Sequence, residues 1–353
     1  MTPVSSSSTS TAADPLASRL PVTVITGFLG SGKTTLLKHL LRHPGMQRAA
    51  VVINEFGEAG FDHELVEASS EQMTLLGNGC LCCTLRTDLQ ETLRDLFMRR
   101  RAGEVIDFDR VFVETTGLAD PVPVLHTLRT DGLLGAQYRL DGVATTIDSV
   151  NGPGQLDAMP EAVKQVAVAD RLVVTKTDLA PANSVLDLRE RLAAINPFAL
   201  CVTALDGELD PAVLAHIGPR TVSAERDELD RWLVPSGASA TSTGSHRAHD
   251  AAIHSFCLWF DRPFTWDALN AALQTLSQLR GPDLLRVKGI VRVQGEPGPV
   301  VVQGAQHLFH PPVTLERGFE ADLRSRIVFI VRNIARESIE RLFAAVDALG
   351  VAR

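Results

Sequence analysis

Long apolar runs are missing from this chain: none of its 353 residues belongs to a stretch approaching the roughly 18 consecutive apolar positions that a membrane-spanning helix needs. A secretory start is missing too. Residues 1–20, with Ser5 to Ser8 and Thr9-Ser10-Thr11, hold neither a basic opening nor an apolar core, so they read as a disordered tail. A Ser-rich transit peptide is the lesser reading, because Arg19 is the only basic residue there. Cysteine is scarce, at five, and the odd number with three crowded into Cys80, Cys82 and Cys83 does not resemble a secreted disulfide framework. Positive charge is short as well. With 34 Lys and Arg against 42 Asp and Glu, the net charge of −8 argues against a sequence-independent grip on nucleic acid or an anionic membrane. A cytoplasmic protein with nucleotide, metal or protein partners is the expectation. Hydrophobic residues at 45% suffice for a sizeable core, and the length suggests two or three domains.

What is present centres on Gly27-Phe28-Leu29-Gly30-Ser31-Gly32-Lys33-Thr34, which follows the apolar run Val22 to Thr26 and precedes a helical pattern from Thr35 to Leu41. It fits G-x-x-x-x-G-K-[ST] at every specified position. The glycines let the backbone wrap so that successive N–H groups and the helix start face a phosphate chain. Lys33 then reaches the β and γ phosphates, and the Thr34 hydroxyl ligates magnesium. Gly27, Gly30, Ser31, Gly32 and Thr35 complete the expected nucleotide-binding stretch.

Further β-branched runs recur at Ala49 to Ile53, Arg110 to Glu114, Val143 to Ile147, Arg171 to Thr175 and Ala199 to Thr203, with helical patterns such as Leu85, Leu89, Leu93 and Leu96 between most of them. Six buried-type strands alternating with helices predict an α/β domain, a largely parallel sheet with helices on both faces, over 21–220. Ligands then gather at the strand C-termini. Segment 221–252, with Pro235-Ser236-Gly237 to Thr243-Gly244, reads as a flexible linker. A small α+β domain follows over 253–350. Its expected strands are Ile253 to Phe260, Leu284 to Val293, Val300 to Gln303 and Arg326 to Val331, and its helices Thr265 to Leu279 and Arg336 to Leu349.

Two strand ends carry further chemistry. In Glu114-Thr115-Thr116-Gly117, an acid after an apolar run supports magnesium and the Gly117 N–H senses the γ phosphate, as the upstream phosphate loop requires of this position. Thr175-Lys176-Thr177-Asp178 is close to the N-K-x-D of guanine-binding proteins, with Thr175 in place of Asn. The Asp178 carboxylate would accept from guanine N1–H and N2–H₂, a donor pair adenine lacks. Thr203-Ala204 is placed to offer a backbone contact to guanine O6.

Gly77-Asn78-Gly79-Cys80-Leu81-Cys82-Cys83 sets three thiols in four residues, expected in a glycine-rich turn before a helix, where they converge on one soft cation such as zinc. A fourth ligand comes from Glu55, Glu58 or His63, or stays exchangeable; buried structural cysteine and a redox pair are the alternatives. Among the histidines, His246, His249 and His254 fall at the linker boundary, His307 and His310 read as a structural turn, and His39 and His43 share a helix face without counting as ligands.

Taken together, G-F-L-G-S-G-K-T, I-N-E-F-G-E, G-C-L-C-C, E-T-T-G-L-A-D-P and T-K-T-D resemble the CobW-like family of phosphate-loop GTPases over roughly 21–350. The resemblance implies a GTP-hydrolysing metallochaperone that binds zinc, or a related divalent ion such as cobalt, and delivers it to a client protein. It assigns Gly30, Gly32, Lys33, Thr34 and Glu114 to GTP and magnesium, Asp178 to guanine, and Cys80, Cys82 and Cys83 to metal, and it matches Asn54 and Glu55 to a switch segment whose Glu is associated with metal. It also suggests pairing of two chains in the GTP form. Lys33, Thr34 and Glu114 are the expected catalytic residues, and Asp62 and Glu114 the candidates to orient the attacking water. Two other classes compete with this reading: a metal-sensing interaction protein that binds nucleotide with negligible turnover, and a phosphate-loop kinase of small molecules.

Overall fold

The computed structural model describes residues 19–53, 73–75, 81–84, 89–215, 217, 253–309, 312–315 and 324–350. Two sheets organise it. The first contains β1 (Leu20–Gly27), β2 (Ala49–Ile53), β3 (Met73–Leu75), β4 (Leu81–Thr84), β5 (Arg110–Glu114), β6 (Tyr138–Asp148), β7 (Arg171–Thr175) and β8 (Leu200–Ala204). Their spatial order is β3-β4-β2-β5-β1-β6-β7-β8, parallel throughout except for the pairing of β3 with β4. A parallel strand between helix layers buries both faces. Accordingly β2 is buried at every position and β1 at all but Pro21.

Helices α1 (Lys33–Arg42), α2 (Leu89–Ala102), α3 (Val122–Thr130), α4 (Gly132–Gln137), α5 (Gly152–Ala158), α6 (Pro160–Val168) and α7 (Ala182–Ile195) connect these strands. Each turns an apolar stripe inward. Leu36, Leu37 and Leu40 of α1 pack with Ile25, Val51 and Phe112, while Leu89, Leu93 and Leu96 of α2 pack with Val52 and Val113.

The sheet has two strands more than the six expected. β3 and β4 are only three and four residues long, too short for alternation to be read, and β4 is the segment Leu81-Cys82-Cys83-Thr84 itself. Cys82 and Cys83 therefore lie within a strand and not in a turn leading into a helix. Thr84 still belongs to β4, so Cys83 does not sit at a helix start.

The second sheet is antiparallel. Strands β9 (Ile253–Phe260), β10 (Leu284–Val291), β11 (Val300–Ala305), β12 (Leu308–Phe309), β13 (Val313–Thr314) and β14 (Ser325–Arg332) are ordered β12-β11-β10-β14-β9, with β13 on β11. One face is covered by the helices Trp266–Arg280 and Arg336–Gly350, which bring Leu269, Leu273, Leu276 and Phe343 against Val287, Phe329 and Val331. Thr265 starts the first of them, its hydroxyl accepting from the Ala268 N–H at 3.1 Å.

The opposite face rests on the first sheet's helices. Leu285 and Ile330 join Val163, Val166 and Leu172, while Phe198 joins Ile290, Val301 and Val328. Inside this apolar contact lies a charged group: Asp170, just before β7, meets Arg286 at 2.6 Å and Lys288 at 2.7 Å, both from β10, and accepts from the Val143 N–H at 3.0 Å. Burial alone would raise Asp170, but Arg286 and Lys288 outweigh it and hold the carboxyl well below the usual carboxylate range. Burial likewise draws Lys288 down, to about 8, against the opposing pull of Asp170. Among the described residues, no helix is long and apolar enough to cross a membrane.

Candidate nucleotide site

The phosphate loop runs from the end of β1 into α1, as its glycine spacing predicts. Gly27 has φ +143°, and a Cβ there would meet the Thr146 hydroxyl at 2.3 Å, so only glycine lets β1 end this close to β6. Ser31, fully buried, is tied to Thr146 by a hydroxyl pair at 2.6 Å. Lys33 folds back over its own loop and donates to the carbonyls of Gly27 at 2.9 Å and Phe28 at 3.1 Å. A phosphate chain would offer that ammonium formal negative charge in the same place.

The two residues expected at magnesium meet directly. Thr34 Oγ1 donates to Glu114 Oε1 at 2.9 Å, joining the first turn of α1 to the end of β5, and Glu114 is buried. A hydroxyl and a carboxylate in contact form the hard oxygen donor set that magnesium takes. Beyond Glu114 the chain is strapped to β1: Thr115 N–H donates to the Ile25 carbonyl at 2.9 Å and Thr115 Oγ1 to Thr26 Oγ1 at 2.8 Å. This brings Gly117 against the phosphate loop, where a Cβ would come within 2.7 Å of the Leu29 nitrogen. Thr35, the next residue of α1, is exposed.

The Thr175-Lys176-Thr177-Asp178 motif is braced to the same loop. Thr175 Oγ1, which stands where asparagine was expected, donates to the Ser31 carbonyl at 2.9 Å, with the Ile147 carbonyl also in reach at 3.2 Å. The substitution thus keeps a side-chain tie between β7 and the loop. Lys176 takes a left-handed backbone, φ 56°, and its ammonium bridges the Gly30 carbonyl and the Asp148 carboxylate, both at 2.8 Å. Asp178 follows in an exposed turn, and Ala204 of β8 pairs in register with Thr175, which places Thr203-Ala204 beside the motif. Thr203 Oγ1 is itself bonded by Arg189.

Asp148 and Ser149 escaped the sequence reading. Asp148 accepts from Lys176, from the Asn151 side chain and from the N–H groups of Val150 and Asn151; burial would raise it, and these bonds together keep it below its ordinary value. Ser149 Oγ donates to the Lys176 carbonyl at 2.7 Å. The signal was available, since Asp148 closes a buried β-branched run as Glu114 does.

For the metal motif, the backbone places Cys82 beside Val51 and Cys83 beside Val52 in β2. Cys80, Asn54, Glu55, Glu58, Asp62 and His63 lie outside the described residues, as do His246, His249 and His310. Among the described residues, no three His, Cys, Asp or Glu cluster to hold a metal. His43 accepts from the Gly45 N–H through Nδ1, and His307 lies against the Ser277 carbonyl at 2.9 Å, both local structural roles.

A parallel sheet carrying a phosphate loop, with a strand-terminal Glu beside the loop's threonine, defines a phosphate-loop nucleotide-binding domain. Residues 21–203 match the CobW/HypB/UreG nucleotide-binding domain and 253–347 the cobalamin synthesis protein CobW C-terminal domain, and the chain belongs to this family. It is 34% identical to the zinc chaperone YjiA of Escherichia coli, over 92% of this chain and 98% of that one. It is 32% identical to the zinc chaperone CobW of Pseudomonas aeruginosa, over 82% of each. The crystal structure of the Zn(II)-bound YjiA GTPase superimposes with a TM-score of 0.72 at 32% identity, covering 93% of this chain and 99% of that one.

Proposed function

We propose that this protein is a cytoplasmic GTPase that carries zinc and couples nucleotide state to release of the ion to a client metalloprotein. One observation carries the coupling: the cysteine strand β4, the strand β2, the Glu114 strand β5 and the phosphate-loop strand β1 are consecutive neighbours in one sheet. Their register aligns Thr84, Ile53, Glu114 and Ile25 in a single row, one residue beyond Cys83. Two strand spacings, about 10 Å, separate the cysteine strand from the Glu114 strand. A rearrangement at the γ phosphate therefore has a short, stiff path to the thiols.

In this reading the loop amides and Lys33 bind and neutralise the phosphates, so hydrolysis rests on positioning and charge. Thr34 and Glu114 would hold magnesium, which when bound adds charge neutralisation at the phosphates. Lys176 and Thr175 stiffen the loop from the base side, and Asp178 selects guanine. Cys80, Cys82 and Cys83 take zinc as cargo, with Glu55 as a further ligand; cobalt is the other ion this donor set admits. The division into a nucleotide domain over 21–220, a linker over 221–252 and a second domain over 253–350 belongs to the same proposal, as does GTP-dependent pairing of two chains.

Support comes from the family membership and from zinc in the names of its relatives. The test is zinc binding in competition with a chromogenic chelator. The wild type should hold about one zinc per chain and release protons as the thiols ionise. Cys82→Ser with Cys83→Ser should lose most of that affinity; a double variant that competes as well as the wild type removes the thiols from the site.

A further inference from the structure

The segment after Glu114 is held by more than the phosphate loop. Gln165, fully buried in the middle of α6, points its amide nitrogen at the carbonyls of Gly117, 3.2 Å, and Ala119, 3.0 Å. Its backbone carbonyl accepts from Thr145 Oγ1 of β6 at 2.8 Å. Three residues beyond Gly117, Asp120 accepts from the Val122 N–H at 3.0 Å and from Gln306 Nε2 at 3.3 Å, with Lys164 of α6 at 3.7 Å.

Gln306 belongs to the second domain. It sits in the turn between β11 and β12 with φ 53°, its N–H fixed on the Leu284 carbonyl at 2.7 Å. The second domain also presses on α6 from below, through Leu285 and Ile330 against Val163 and Val166. Just past the end of α6, Arg286 and Lys288 grip Asp170. The Gly117 segment is thus clamped twice, once directly by Gln306 and once through a helix that the second domain supports.

We propose that Gln165 and Gln306 are positioning residues for the γ phosphate: the second domain, through them, holds the Gly117 N–H where it can meet the third phosphate. This rests on the reading of Gly117 as the γ-phosphate sensor. A GDP complex has no group at that position, so loss of the clamp should weaken a GTP analogue selectively.

The test measures the affinities of a non-hydrolysable GTP analogue and of GDP for the full chain, alongside its melting temperature. The variants are Gln165→Met, which keeps the shape without the donors, and Gln306→Asn, which tolerates the left-handed turn but is too short to reach Asp120. With one or two hydrogen bonds removed from a buried segment, analogue affinity should fall about 5- to 30-fold while GDP affinity changes less than about 2-fold. Turnover should fall with it. Equal losses for both nucleotides, or none, would overturn the proposal and leave these residues as scaffold. The Gly117 amide itself separates the two layers of inference, since a Cβ at that position would push on the Leu29 backbone and disturb both nucleotides alike. If its nitrogen-15 resonance in the wild type shifts with the analogue and not with GDP while neither glutamine variant splits the nucleotides, the clamp is wrong and the sensor stands. If that resonance is the same with both nucleotides, the sensor reading falls and takes the clamp with it. Should Gln165→Met fail to fold, Gln306→Asn, at a half-buried position, carries the same decision.

Discussion

Two lysines, both buried, divide the molecule by purpose. Lys33, at the open rim of the first sheet, donates to the backbone carbonyls of Gly27 and Phe28; Lys288, between the domains, is locked with Arg286 onto the Asp170 carboxylate. Carbonyls can give up an ammonium to a phosphate, because the exchange trades partial for formal negative charge. The Asp170 group has no such outlet. The contrast teaches that the rim is built to exchange its bonds for a ligand, whereas the interdomain face is built to keep them.

Breaking the closed side should give the largest effect on stability. Asp170→Asn leaves two cations facing an amide inside the protein, and it should cost about 3–5 kcal/mol in denaturant unfolding. The pH dependence has a definite sign. Asp170 is depressed in the folded state, so its stabilisation is complete above its unfolded value near 3.9 and fades only as pH falls through the lower folded value. The gap between wild type and variant should therefore hold through neutral pH and close in strong acid. Lys288 runs the other way: with a folded value of about 8 against 10.5, its own contribution grows as pH rises between the two. A gap that closes already near pH 6 would contradict this assignment.

On the open side the same kind of change should spare stability and remove function. Lys33→Ala should lower GTP hydrolysis about 10²- to 10³-fold, with little change in melting temperature. Asp178→Asn should weaken GTP about 10- to 150-fold and favour xanthosine triphosphate, as read by calorimetry; equal binding of GTP and ATP by the wild type would remove the guanine assignment. The smallest effect should come from Thr175→Val, which keeps the shape of the side chain and loses its bond to Ser31. About 1 kcal/mol of stability should go with it.

Much of the rim was legible in the sequence because its chemistry is local. Gly27 to Thr34 specifies a loop by itself, and Glu114 and Asp178 follow runs whose β-branched content marks strand ends. The closed side was not legible. Asp170 and Lys288 are 118 residues apart, and an Asp before a strand or a Lys within one says nothing about a partner in another domain. Gln165 was hidden for a similar reason, since a polar residue on the buried face of α6 interrupts the apolar stripe without revealing which carbonyls it serves. Cys82 and Cys83 were expected in a turn and lie in a strand, because three thiols dominate the pattern and β4 is too short to show an alternation of its own.

The central claim is that the nucleotide rim and the cysteine strand are one device. It is tested most directly by zinc affinity measured with a non-hydrolysable GTP analogue and with GDP, each at two protein concentrations so that pairing of chains is seen. Coupling of the ordinary size predicts affinities differing about 5- to 150-fold between the two nucleotide states, and by linkage an equal change in analogue affinity when zinc is added. Identical zinc affinities in all four conditions would contradict the account and leave a GTPase that merely carries zinc.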